Sequence, residues 1–244
     1  MRSFFAIPFL SAMWKKKICI GMGIGVLLAG AFFFDWKTAL FVSKQTGGKT
    51  VIVIDSGHGG VDPGKVGVSG SLEKDINLSI AKKVKTILEK KNYFIVMTRE
   101  ADKGLYEEQD KNKKIADLKA RVALIEETNP KMVVSIHQNS YGSAGVKGAQ
   151  VFYYSGSEEG KRIGDLMQET IKTAINDGNH RMAKGNSSYY MLCKTKVPLI
   201  IVECGFLSNP EEEKLLKDEK YQQKMAEAIA TGIEKCITES APKT

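Results

Sequence analysis

Four side chains in this chain have the types and settings for hydrolytic chemistry: His58, Glu73, His137 and Glu203. Three of them close short apolar runs, at residues 51–54, 132–136 and 199–202. Two imidazoles and a carboxylate make a catalytic zinc site that keeps a fourth position open for water. A second carboxylate that stays off the metal serves such a site as general base. Spacing alone carries little of this, because no compact zinc motif is present, and a lone histidine after a strand is more often structural. Glu73 read alone is a helix N-terminal charge, and Asp75 is a nearby alternative carboxylate. Glu203 is harder to read as structural. It ends Leu199-Ile200-Ile201-Val202, and a carboxylate at the end of a desolvated run needs a metal, a partner or a role.

The elements that must position these residues follow from the pattern. Val51, Ile52, Val53 and Ile54 read as a buried strand, covered on both faces. It breaks into a loop of four glycines around His58, placed where open α/β sheets hold ligands. Ser71 is the expected N-cap of a helix with Ile76, Ile80, Val84, Ile87 and Leu88 on one face. Strands are expected at 93–98, 132–136, 150–154 and 199–202, and helices at 115–127 and 158–175. Residues 101–114 and 176–188 read as polar loops. Asn209, Pro210 and three following glutamates mark a further helix start, with one or two helices closing the chain by about residue 237. Strands alternating with helices predict an α/β fold. It is a single domain (residues 50–239) with a mostly parallel central sheet flanked by helices, preceded by one N-terminal apolar helix.

The net charge of +8 would suit a nucleic-acid surface, but its distribution does not. Residues 1–48 hold six Lys or Arg against Asp35, whereas the remainder holds 30 against 27. No nucleic-acid partner is expected. Cys19, Cys193, Cys204 and Cys236 show no paired spacing, so no disulfide framework is expected. Lys15-Lys16-Lys17 precedes 17 uncharged residues, 18–34, flanked by Trp14 and Trp36. That is near the lower limit for a bilayer span, and the lysines favour a cytoplasmic N-terminus. Residues 1–42 therefore read as a membrane anchor, or as a signal segment cleaved near Ala29-Gly30-Ala31, with a linker at 43–49. In either case the body lies outside the cytoplasm.

Four motifs stand in a recognisable order: Val-Ile-Asp-Ser-Gly-His-Gly-Gly, Glu-Lys-Asp-Ile-Asn-Leu, Ser-Ile-His-Gln-Asn-Ser and Val-Glu-Cys-Gly-Phe-Leu-Ser-Asn-Pro-Glu-Glu. In this the chain resembles zinc-dependent N-acetylmuramoyl-L-alanine amidases over residues 50–237, and in particular those of sporulation. The resemblance implies Zn2+ as cofactor, with His58, Glu73 and His137 as ligands and Glu203 as catalytic carboxylate. It implies peptidoglycan as substrate, cleaved between muramic acid and L-alanine in spore cortex ahead of muramic-δ-lactam formation. It leaves room for an activating protein partner. Asn139, or a backbone N–H of Gly59 or Gly60, is the expected oxyanion donor. Ile125-Glu126-Glu127 after Arg121 departs from the family's Ala-Asn, on a helix expected to lie away from the zinc motifs.

Rival readings are weaker. The glycine loop lacks the Gly-Lys-Ser/Thr of a phosphate loop, and Ser56 and Ser135 stand in no nucleophile elbow. His180 reads as solvated, Cys204 and the Tyr189-Tyr190 pair as packing, and residues 107–114 as a solvated charge run. A zinc carboxypeptidase on wall peptides, or a non-catalytic wall- or partner-binding protein, remains as an alternative.

Overall fold

β1 (Val51–Ser56) is apolar on both sides because it is central and parallel to its neighbours. In a computed structural model, which describes residues 46–239, six strands form one sheet in the order β2-β1-β3-β6-β4-β5. These are β2 (Phe94–Met97), β3 (Met132–Asn139), β4 (Gln150–Tyr154), β5 (Lys184–Asn186) and β6 (Leu199–Phe206). β2, β1, β3 and β6 run parallel, β4 pairs antiparallel with β6, and β5 runs parallel to β4. The fold is thus the expected mostly parallel α/β sheet. The expected N-terminal apolar helix lies outside the described residues. Among the described residues no helix is long and apolar enough to cross a membrane.

Alternation along the strands divides the core. Ile52, Ile54, Val134 and Ile200 face a cluster with α1 (Glu73–Lys90), α3 (Glu158–Ile175) and α6 (Glu219–Glu239). Val53, Val133, Leu199 and Ile201 face a smaller cluster with α2 (Lys113–Thr128) and α4 (Tyr190–Lys194). α5 (Pro210–Lys217) has Asn209 as its cap, accepting from the N–H groups of Glu211 and Glu212. That start matches the expectation.

Three expectations need correction. Ser71 does not cap α1. Leu72 holds that position, and the Ser71 hydroxyl instead donates to Glu213 at 2.6 Å. β3 and β6 do not stop short of their polar residues but carry His137 and Glu203 inside the ladder, paired with each other in register. Residues 176–188 are not all loop, since β5 forms there.

Candidate metal centre

The site lies at the carboxyl ends of β1, β3 and β6. His137 and Glu203 are register partners, and odd-numbered positions of β3 and β6 face the α2 side, so both side chains leave the same face of the sheet. A shift in register between His137 and Asn139 interrupts the ladder there, and pairing resumes between Asn139 and Phe206.

The His58 loop closes over this edge because of its glycines. A Cβ at Gly57 would strike the ring atoms of His137, so only glycine lets the backbone pass. His58 itself has φ of 61°, in the left-handed region that non-glycine residues seldom occupy. Its Nδ1 meets Asp62 Oδ2 at 2.8 Å, and its Nε2 meets Glu73 Oε1 at 3.1 Å. His137 Nδ1 meets the same Glu73 oxygen at 2.9 Å. The two rings stand edge to face, 4.9 Å apart.

Glu73 is 2% exposed and held from several sides. The N–H of Gln138 donates to Oε1 at 3.1 Å, and the N–H of Lys65 to Oε2 at 2.7 Å. One ligand atom from each of His58, Glu73 and His137 lies within 4.8 Å of the others, and this group could hold a metal ion. The donor set, two imidazole nitrogens and one carboxylate oxygen, suits zinc. Asp75 is exposed and stands apart from this group.

Charge is unusually concentrated here. Burial would raise the Glu73 pKa, but His137 and His58 hold its carboxyl well below the usual range. Burial would lower His58, but Asp62 and Glu73 prevail and push it up to about 9. A metal must therefore displace a proton from His58, since only the neutral imidazole ligates. Asp62 was not singled out by the sequence reading, and an aspartate four residues after a histidine is too weak a signal to find it. It supplies the carboxylate–histidine contact that fixes ring orientation in metal sites.

Glu203 is 7% exposed, and its Oε2 has no hydrogen-bond partner. Burial pushes its pKa up to about 7, against the pull of His137. It borders a cleft of about 320 Å³ lined also by both histidines, Lys65, Tyr189 and Met191. Tyr189 and Tyr190, expected to be packing, thus form part of the cleft wall, carried there by α4. Asn139 lines the cleft, but Gly59 N donates to Asp62 O and Gly60 N to Asp102 Oδ1. Those two amides are engaged and do not face an oxyanion. His180 is exposed in a separate cavity, and Cys204 is fully buried with its thiol pushed up by burial.

Residues 52–235 match the family model described as N-acetylmuramoyl-L-alanine amidase. The chain is 37% identical over 192 residues to the germination-specific N-acetylmuramoyl-L-alanine amidase of Bacillus subtilis, covering 78% of this chain and 80% of that protein. Among solved structures it resembles the CwlD amidase from Clostridioides difficile, solved in complex with the GerS lipoprotein. The TM-score is 0.76 and the identity 38%, over 79% of this chain and all of that one. The amidase AmiC2 of Nostoc punctiforme is also similar, with TM-score 0.69 and 36% identity over 78% of this chain and 98% of that one.

Proposed function

We propose a mechanism and a setting from the premise that this chain belongs to the N-acetylmuramoyl-L-alanine amidase family. In this reading it is a zinc-dependent hydrolase, with His58, Glu73 and His137 as ligands and Glu203 as catalytic base. The observation that carries it is the convergence of three ligand atoms beside a buried carboxylate oxygen with no partner. When bound at such a site, zinc lowers the pKa of water and polarises the carbonyl under attack.

The chain's own residues do the rest. Glu203 Oε2 accepts the proton of the attacking water and delivers it to the nitrogen of the leaving L-alanine. A pKa near 7 suits both halves of that transfer, because the group both takes and gives a proton near neutrality. Asp62 orients His58, while the N–H groups of Lys65 and Gln138 hold Glu73 in place. Asn139 is the remaining candidate for steadying the oxyanion.

The setting proposed is peptidoglycan of the spore cortex, reached by a membrane-tethered chain whose body lies outside the cytoplasm. The germination-specific relative supports the cortex assignment. A relative solved with a lipoprotein supports a protein partner, for which an activating role is proposed. Purified sacculi treated with the full-length protein test the reaction. Intact stem peptides with new alanine amino groups are expected. Release of a terminal amino acid would indicate a carboxypeptidase instead. No products, with zinc bound, would indicate a binding protein.

A further inference from the structure

Behind the His58 loop lie two arginines, each 2% exposed, that face its backbone rather than the cleft. Arg99 donates through Nε to Ser56 O at 3.0 Å, and through Nη2 to Gly57 O at 3.0 Å and Lys74 O at 2.7 Å. Arg121 donates through Nη1 to Ser56 O at 2.8 Å, and through Nη2 to His58 O at 2.7 Å. Three successive carbonyls are thereby turned inward. Arg121 is itself aimed by carboxylates, with Nη1 on Asp55 Oδ1 and Nε on Asp117 Oδ2, each at 2.7 Å.

We propose that Arg121 is a positioning residue for the metal ligand His58. The inference rests on the reading of His58 as a ligand. A left-handed backbone is disfavoured for histidine, so something must compensate it. Arg121 is the residue that grips the carbonyl of His58 itself, while Arg99 stops one residue short. Were His58 to relax to an extended conformation, that carbonyl would turn away from Arg121. The ring would then leave its seat between Asp62 and Glu73. A guanidinium is required because its rigid fork spans Asp55, Ser56 O and His58 O together, which a single ammonium does not. The helix α2, expected from the pattern to lie away from the zinc motifs, is thus coupled to them through one side chain.

The test compares full-length wild type with Arg121→Lys, Asp117→Asn and His58→Ala. Three quantities are measured: zinc affinity by chelator competition well below the melting temperature, the visible spectrum of the cobalt-substituted protein, and the melting temperature of the metal-free protein. Arg121→Lys is expected to bind zinc about 10- to 100-fold more weakly, the range typical of residues behind metal ligands. Its cobalt spectrum should shift towards that of His58→Ala. Asp117→Asn, which leaves Arg121 but loosens its aim, should move both readouts less and in the same direction, and it decides the matter if Arg121→Lys does not fold. Wild-type affinity and spectrum in both variants, with only a lower melting temperature, would make Arg121 merely structural and overturn the proposal. If His58→Ala binds zinc as tightly as wild type, the ligand reading fails first, and this inference with it.

Discussion

At the scale of single residues, Glu203 is a stability liability that its proposed role as base would explain. Its carboxyl is buried, half of it is unpartnered, and its pKa is raised from 4.5 to about 7. In the metal-free protein, both folded and unfolded chains hold this proton below about pH 4.5, so nothing is lost there. Between about pH 4.5 and 7 only the unfolded chain gives the proton up, so stability falls by roughly 3 kcal/mol across that window and levels off above it. Glu203→Gln removes that cost while keeping shape. We expect the zinc-free variant to be more stable than wild type near pH 8 and no more stable near about pH 4, as read by denaturant titration at both values. With zinc bound, the same variant should keep its metal and lose about 10²- to 10⁴-fold in turnover. Normal turnover in a zinc-loaded variant would remove Glu203 from the mechanism. Asp55 has the opposite sign. Burial would raise it, but Arg121 and the hydroxyls of Ser135 and Thr98 hold it at about 2. Its contribution is therefore present above its ordinary value of 3.8 and lost as pH falls towards 2. Asp55→Asn should flatten acid unfolding across that window and cost about 3 kcal/mol at neutral pH, the low end for breaking a buried pair, because Arg121 loses one of its two carboxylates and keeps Asp117.

At the scale of elements, the glycine loop is the part most intolerant of change. Gly57→Ala places a methyl group against the His137 ring, so strand, loop or ring must shift. We expect a folded protein whose zinc affinity falls at least about tenfold, the scale seen when a ligand's support is disturbed. Unchanged affinity by the same chelator competition would show that the loop yields without moving His137. Regular elements were legible where local signals agreed. β4 and α3 have the expected bounds, the helix opening on Ser157, whose side chain accepts from Gly160 N, and closing on Asn176 in the left-handed region. Legibility fails where tertiary pairing overrides composition. His137, Gln138 and Asn139 look like loop residues, yet pairing with β6 keeps β3 extended through them after β1 has stopped at Ile136. α4 is five residues long, too short to show a period, and its role as cleft wall had no signal. The proposed ligands were legible as candidates, as histidines and carboxylates beside strands. Their support by Asp62 and Arg121 was not, because Arg121 reaches His58 across a sequence separation of 63 that no pattern encodes.

At the scale of the whole molecule, the proposed chemistry and the proposed topology stand or fall together. Peptidoglycan lies outside the membrane, so the proposed reaction requires the catalytic body to be exported. Lys15-Lys16-Lys17 stands before the apolar run, and only Lys37 and Lys44 follow within a dozen residues after it. On the proposed anchor reading, that asymmetry predicts residues 1–17 in the cytoplasm and the body outside. Residues 49–244 carry 30 basic against 27 acidic side chains, too even a balance for a strong electrostatic hold on an anionic membrane. Among the described residues no helix is long and apolar enough to cross a membrane. A chain beginning at Ser43 is therefore expected to be soluble and to bind zinc, while the full-length chain sediments with membranes. Protease added to intact protoplasts should degrade the catalytic body and spare the first residues. Protection of the body until the membrane is broken would place it on the wrong side. The proposed zinc site would be untouched by that result, but a cell-wall substrate could not reach it.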